Sequence, residues 1–220
     1  MKLTLLSSLL FIAFTSSAQI KKGAVSLGVD FNFSGSKSTA STGNSEAKNT
    51  GGFISVSGGK AVQDNLFVGA GLSYGISNNK NIFSGNTMSE QDAHSVGGSV
   101  WVRKYYPVLK SFYLFINGGL YASSYSTENK QAAVVATKSN SFNLSAIVYP
   151  GISYQMRKNF FLDASINSLA NLSYSHGKNE TFDSQGNSTG ITKSNNYGLS
   201  TSIGNSANPL QIGVRWIIQK

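Results

Sequence analysis

The sequence contains no cysteine and only three prolines among its 220 residues. No disulfide therefore stabilises the fold, although exported proteins form disulfides freely. Charged residues make up only 12% of the chain, and after the N-terminus no apolar run approaches the roughly 20 residues of a membrane-spanning helix. Few charges without helical apolar runs are unusual for a soluble exported domain. They are typical of transmembrane β-strands, in which apolar and polar residues alternate.

The N-terminus has the pattern of an export signal. Lys2 precedes an apolar run from Leu3 to Phe14, and three small residues, Ser16-Ser17-Ala18, follow. This order predicts a secretory signal peptide over residues 1–18, with cleavage after Ala18. The remainder, residues 19–220, is predicted to form a single exported domain.

Alternation with a period of two recurs throughout that domain, as in "NLFVGAGLSYGIS" at 65–77. There one row of residues is aliphatic and aromatic, and the other is nearly all glycine and serine. Such alternation predicts strands with two different faces. Eight segments have it: 23–33, 51–62, 65–77, 95–106, 111–125, 141–156, 159–174 and 209–218.

The connections between these segments alternate in length. Three are short turns, at 63–65, 107–110 and 157–159, and the other four are long and polar. Outer-membrane barrels have short periplasmic turns and long extracellular loops. The pattern predicts an all-β fold, an eight-stranded antiparallel up-and-down transmembrane β-barrel. Such a protein would be integral to the outer membrane, with both termini periplasmic.

In that barrel the aliphatic row faces lipid and the row of small residues faces inward, where it leaves room for a few large side chains. The predicted inner aromatics are Trp101, Tyr113, Phe115, Tyr121, Tyr149 and Phe161. The predicted interfacial aromatics are Tyr106, Phe112, Tyr154, Phe160 and Trp216 near the short turns, and Phe33, Tyr74 and Tyr174 near the long loops. Two lysines, Lys60 and Lys104, fall on the lipid row close to short turns, where each ammonium group can reach the headgroups.

Several stretches resemble the outer-membrane β-barrel domain family, the eight-stranded proteins grouped with OmpA, OmpX and OmpW. They are "GGKAVQDNLFVGAGLSYGIS", "VWVRKYYPVLKSFYLFINGGLYASS" and "RKNFFLDASI". The last strand also resembles the signal that the outer-membrane assembly machinery reads, and the matching residues are Gln211, Gly213, Trp216 and Ile218. The family usually ends on an aromatic residue, whereas this chain ends Ile218-Gln219-Lys220. The resemblance implies three kinds of partner: the outer-membrane assembly machinery, outer-membrane lipids and lipopolysaccharide.

Four charged residues of the strands, Asp30, Arg103, Asp163 and Arg215, lie on the inner row. Because the seventh and eighth strands are neighbours, Asp163 is predicted to pair with Arg215, and Asp30 is the other candidate partner. The group is predicted to form an interior polar network, since unpaired charges inside a closed barrel are costly. A polar gate in a narrow pore is the alternative interpretation.

Two histidines, His94 and His176, fall at the ends of strands beside the long loops, next to Ser95 and Ser175. A hydrolase needs serine, histidine and a carboxylate placed together, but every strand here is rich in serine, so these neighbours carry little information. The sequence has no metal-ligand spacing, phosphate loop or nucleic-acid motif. We therefore expect no catalytic, cofactor or metal site, and no nucleic-acid partner.

These observations predict a small, monomeric, non-enzymatic protein with a structural or surface-interaction role through its long polar loops. The alternatives are a narrow channel for small solutes and an outer-leaflet lipid-modifying enzyme. A soluble, ligand-binding barrel of lipocalin type, with its apolar row inside, is the rival that does not involve a membrane.

Overall fold

Ten antiparallel strands account for most of a computed structural model that describes residues 19–39, 45–83, 86–131, 134–166, 168–201 and 210–219. The strands are β1 Val25–Thr39, β2 Ser45–Gln63, β3 Leu66–Phe83, β4 Asn86–Leu109, β5 Phe112–Gln131, β6 Val134–Arg157, β7 Phe160–Ile166, β8 Ala170–Phe182, β9 Ser188–Thr201 and β10 Leu210–Ile218. The predicted signal peptide lies outside these ranges. Within them, no helix is long and apolar enough to cross a membrane. The predicted all-β antiparallel class is confirmed.

Eight of the strands close into a ring. Strands β1 to β6 pair in sequence order, β6 pairs with β7, β7 with β10, and β10 with β1. Strand β8 pairs with a different part of β6, Thr137–Val148, and β9 pairs with β8. β7 and β8 therefore follow one another along the same side of β6. The single strand predicted over 159–174 is thus two strands.

Two-residue turns at 64–65, 110–111 and 158–159 lie at one end of the ring, called here the turn end; the opposite end is the loop end. The strand register shifts by one residue before each of these turns, near the ends of β2, β4 and β6. Asn65 has a φ of 62°, in the left-handed region that asparagine tolerates better than most residues. The three short connections of the sequence are therefore the tight hairpins expected.

The long polar connections are mostly strand rather than loop, which corrects the prediction. Pairing of β1 with β2 continues to Thr39 and Glu46, and β4 and β6 each span 24 residues. Only 183–187 separate β8 from β9, a strand that the sequence did not predict. Most side chains of these extensions are polar on both faces. Apolar residues such as Ile191, Tyr197 and Leu199 of β9 are too few to give the sustained alternation that marks a strand with one buried face.

The ring closes at the turn end, whereas toward the loop end the described residues leave one side of it without a closing strand pair. Strand β1 pairs with β10 only over Val25–Phe31. Among the described residues, β9 pairs with β8 alone, and all of its residues are exposed. Within the described residues, two strand edges therefore have no strand partner. They are one edge of β9 and the edge of β1 that faces away from β2, beyond Phe31.

The N-terminal segment covers the turn end. Ile20 is fully buried, and its N–H donates to Oδ1 of Asn65 at 2.9 Å, while the N–H of Asn65 donates to the Ile20 carbonyl at 2.8 Å. The Lys22 N–H donates to Oδ1 of Asp64 at 2.8 Å and holds the pKa of that carboxyl below its usual range. The chain entering β1 is thus fixed to the turn between β2 and β3.

Apolar and polar rows point as predicted. The aliphatic row faces out, with side chains such as Leu72 and Val96 exposed by 68% and 61%. The interfacial aromatics near the turns are also exposed: Tyr106, Phe112, Tyr154, Phe160 and Trp216. Lys104 donates from Nζ to the Asp64 carbonyl at 3.2 Å, so its ammonium group reaches the turn end.

Candidate functional site in the lumen

Glycines of the inner row provide space for large side chains from neighbouring strands. A Cβ on Gly59 would lie 2.6 Å from Cη2 of Trp101, and one on Gly28 would lie 2.6 Å from the Arg215 guanidinium. A Cβ on Gly213 would collide with the carboxylate of Asp30 in the same way. The Gly59 Cβ would also lie 2.8 Å from the Val68 carbonyl oxygen, so that position requires glycine. At Gly28 and Gly213 a Cβ would force the ends of the Arg215 and Asp30 side chains to shift. The small inner row is therefore what allows a few large residues to fill the lumen.

Aromatic side chains close the lumen at the turn end and form what we call the turn-end plug. Phe67, Tyr105 and Phe115 pack with ring centroids 5.8 and 5.9 Å apart in edge-to-face contacts. The other members are Tyr113, Phe161, Ile20, Ala24, Ala61 and Ile217. All are almost inaccessible to solvent.

Most of the predicted inner aromatics lie where the sequence placed them. Four of them are buried: Trp101, Tyr113, Phe115 and Phe161. A fifth, Tyr149, is partly buried and packs against these buried hydrophobic residues. The alternating pattern also put Phe67 on the inner row. Parity within the strands would have added Tyr105 and Ile217. Ile20 lies outside every alternating segment, so no sequence signal identified it.

Asp163 is the centre of a buried ionic network, which lies next to the turn-end plug on the side toward the loop end. Its Oδ2 accepts from Nη1 of Arg103 at 2.5 Å and from Nε of Arg215 at 3.0 Å. Its Oδ1 accepts from the Ser153 hydroxyl at 2.6 Å. The three charged side chains are each 3% exposed or less. Both carboxylate oxygens are thus satisfied, as a buried charge requires.

The two arginines differ in their other partners. Arg103 donates from Nε to Oδ1 of Asn117 at 3.0 Å, and its guanidinium carbon lies 4.1 Å from the centre of the Phe115 ring. Arg215 reaches Asp30, with Nη2 and Oδ1 3.8 Å apart. Asp30 is held more loosely, because its other contact is a 3.4 Å hydrogen bond from Ser55. Two guanidinium groups and two carboxylates make the network neutral.

All four charged residues singled out in the sequence are therefore brought together. The predicted pairing of Asp163 with Arg215 is present, and Asp30 is a second partner of Arg215. The shortest ion pair, between Asp163 and Arg103, joins β7 to β4 across the lumen. Ser153 and Asn117 complete the network. Parity within the strands places both on the inner row, but nothing in the sequence marked them as partners of the charged residues.

A cavity of 380 Å³ extends from this network toward the loop end. Asp30, Arg103 and Arg215 border it at the network. Its remaining polar side chains are mainly hydroxyls, from Ser55, Ser57, Ser73, Ser95, Ser99, Ser123, Ser145, Tyr121 and Tyr149. The lumen is thus filled at the turn end and hollow beyond the network.

The two histidines do not join this site. His94 and His176 are exposed on the outer row, His94 with Nδ1 3.3 Å from the Tyr74 hydroxyl and His176 with Nδ1 2.8 Å from Oδ1 of Asn195. Ser95 lines the cavity, on the opposite face of β4 from His94. No group of three or more His, Asp or Glu side chains suited to a metal occurs in the described part of the chain.

The residues of the predicted assembly signal divide between the two faces of β10. Gln211 borders the cavity and Gly213 leaves room for Asp30. Trp216 and Ile218 are exposed on the outer face, close to the turn end. One half of the motif therefore belongs to the lumen, and the other half faces outward.

Three solved structures similar to this chain are those of outer membrane or surface proteins. One is a major outer membrane protein from Thermus thermophilus, with a TM-score of 0.50 and 13% identity over 88% of this chain and 99% of that chain. OprG from Pseudomonas aeruginosa has a TM-score of 0.47 and 13% identity, over 91% of this chain and 98% of its own. Neisserial surface protein A has a TM-score of 0.42 and 19% identity, over 89% and 99%.

At 13% identity, the similarity to the Thermus thermophilus protein concerns the fold alone. Among curated proteins, none is significantly similar in sequence to this chain. The family model described as "Outer membrane protein beta-barrel domain" matches residues 4–200, which is most of the sequence. As the strand motifs predicted, the chain belongs to the outer membrane protein beta-barrel domain family.

Proposed function

We propose that the protein is a small, non-enzymatic barrel that spans the outer membrane with eight strands and acts through its extracellular extensions. Membership of the family supports the outer-membrane location. In this arrangement the turn end and both termini are periplasmic, and the loop end faces the outside, as in other barrels of this membrane.

The observation that carries the proposal is which row of side chains is buried. Aliphatic residues such as Leu72 and Val100 are exposed, whereas Arg103, Asp163 and Arg215 are enclosed. A soluble barrel would have the reverse arrangement. A charged residue facing lipid at the middle of the bilayer costs about 2–4 kcal/mol, while one in the lumen avoids that cost. The exposed apolar row therefore fits hydrocarbon as its surroundings.

The extensions at the loop end are the surface we expect to meet partners. A strand needs only about 9–11 residues to cross the membrane, whereas β4 and β6 have 24. Beyond the apolar row the side chains are polar and ion-paired. Lys37 and Lys48 approach Glu46 to 2.8 and 2.6 Å, and the hydrogen bond from Lys37 lowers the pKa of Glu46. Lysines at this level suit the phosphates of lipopolysaccharide.

Two observations weigh against the alternative functions. Ser95 and His94 lie on opposite faces of β4, so these neighbours form no nucleophile–base pair. The turn-end plug fills the lumen on the turn-end side of the ionic network, so a channel would require large aromatic side chains to move.

We also propose that the assembly machinery recognises Trp216 and Ile218, on the outer face of the last strand, before the barrel closes.

Electrophoresis of the outer-membrane fraction, with and without boiling, tests the proposal. A folded transmembrane barrel should remain compact in cold detergent and change its mobility when boiled. The expected result is a heat-dependent shift of a protein recovered with the outer membrane. Recovery of a soluble periplasmic protein without such a shift would contradict the proposal.

A further inference from the structure

The lumenal cavity has the form of a vestibule that is closed at its inner end. Arg103 and Arg215 border it, and the turn-end plug lies beyond them. Among the described residues the plug blocks the turn end, so a solute would enter and leave from the part of the cavity toward the loop end. The volume of 380 Å³ lies within the range of small-molecule pockets, roughly 300–1,000 Å³. The geometry suits retention of a solute rather than its passage.

The charge of the ionic network argues against a charged occupant. Asp163 is satisfied by both arginines, and Asp30 balances the remaining positive charge. An anion or a cation would lose hydration on entry without meeting a net opposite charge, which is unfavourable in a partly buried site. The charge balance of the residues therefore favours a neutral solute.

The polar groups of the wall favour a solute rich in hydroxyl groups. Serine hydroxyls each donate one hydrogen bond and accept others, and seven of them border the cavity: Ser55, Ser57, Ser73, Ser95, Ser99, Ser123 and Ser145. Asp30 retains acceptor capacity, because its two contacts are 3.4 and 3.8 Å long. Phe53, Tyr121 and Tyr149 add flat apolar surface. Of the aliphatic lining residues, Val56 and Leu72 belong to the outer row, whereas Ile147 lies on the inner row beside Ser145 and Tyr149.

We propose that this vestibule binds a small neutral polyhydroxylated solute, of the size of a mono- or disaccharide, from the extracellular side. Hydroxyl groups of the solute would exchange hydrogen bonds with the serines and donate to Asp30, while the aromatic side chains would cover its C–H faces. This role concerns the lumen and does not depend on what the extracellular extensions bind.

Tryptophan fluorescence gives a direct test, because the chain has only two tryptophans. Trp101 lines the cavity, whereas Trp216 is on the outer face. In a Trp216→Phe protein folded in detergent, Trp101 alone reports on the cavity. Titration with glucose or maltose should change its emission in a saturable way. Titration with inorganic phosphate or choline chloride should give no saturable change.

Matched substitutions in β6 link the signal to the cavity. Ser145→Leu fills part of the lumen and should weaken saturation by glucose or maltose at least tenfold. Leu144→Phe changes the adjacent, outward-facing residue and should leave the titration unchanged. If Ser145→Leu does not fold, Ser123→Leu replaces it.

Three results would overturn the proposal. The first is an emission of Trp101 that stays constant or changes without saturation in both sugars. The second is saturation by phosphate or choline instead, which would make this an ion site. The third is an equal effect of Ser145→Leu and Leu144→Phe, which would place the bound sugar outside the lumen.

Discussion

Replacing Asp163 by alanine should cost more stability than any other single change in the ionic network. The carboxylate is buried and receives hydrogen bonds from Arg103, Arg215 and Ser153 at 2.5, 3.0 and 2.6 Å. Its removal leaves Arg103 without an acidic partner in a closed site. Breaking a buried ion pair by removing one partner costs about 3–5 kcal/mol, and we expect a loss of free energy of unfolding in that range.

Two comparison variants make the prediction specific. Asp30→Asn alters a looser carboxylate, whose contacts are 3.4 and 3.8 Å long, and should cost about 1 kcal/mol, the net value of an ordinary hydrogen bond. A double variant, R103M/D163L, removes the shortest pair as a unit. It should recover at least half of the loss seen with D163A, because no uncompensated Arg103 remains.

The assay is urea unfolding of the protein in lipid vesicles, followed by the mobility of the folded form on an unheated gel. If D163A unfolds at the wild-type urea concentration, or if D30N is equally damaging, Asp163 is not the centre of the network. Conductance of D163A in a planar bilayer separates the two interpretations of these charges. Unchanged stability with a new steady conductance would make the network a gate.

Further predictions concern the inner-row glycines, the N-terminal segment and the orientation. Gly59→Ala should lower the free energy of unfolding by about 1–3 kcal/mol in the same assay, because its Cβ meets Trp101 and a backbone oxygen. Gly58→Ala is the control and should be nearly neutral, because its Cβ lies 3.8 Å from Leu27. Ile20→Ala should cost about 2–5 kcal/mol, and a wild-type unfolding midpoint would show that the N-terminal segment does not seal the turn end. The chain has no cysteine, so a single introduced cysteine can be labelled specifically. Asn187→Cys should react with an impermeant maleimide on intact cells, whereas Ser111→Cys should react only after the outer membrane is permeabilised. The opposite pattern would show that the proposed orientation is inverted.

Alternation in the sequence predicted which face of each predicted strand is turned inward, because the inner face of the ring is enclosed and the outer face is not. The same alternation predicted that Asp163 and Arg215 lie on the inner rows of neighbouring strands. It did not predict that Arg103 would meet Asp163. These residues lie on β4 and β7, on opposite sides of the lumen, and their relative height depends on strand tilt and stagger, which no local pattern encodes.

The strands toward the loop end were missed for a different reason. Residues 34–39 and 188–201 are strand, yet all are exposed. Their pairing depends on backbone hydrogen bonds and on cross-strand polar contacts such as Lys37 to Glu46 at 2.8 Å and His176 to Asn195 at 2.8 Å. Where both faces meet a polar environment, as over 34–39, selection for an apolar row is absent and the sequence resembles a loop. In β9 only Tyr197 and Leu199 continue the apolar row of β8, and two residues are too few to predict a strand.

The central claim is that the aliphatic row faces lipid and the small-residue row faces the lumen. Quenching of tryptophan by brominated lipids measures this directly, because Trp216 is 55% exposed on the outer face and Trp101 is 7% exposed inside. Brominated acyl chains should quench a large part of the wild-type fluorescence, and Trp216→Phe should remove most of that quenching. Equal quenching of the Trp216→Phe protein would mean that Trp101 contacts lipid and that the two faces are the reverse of those described.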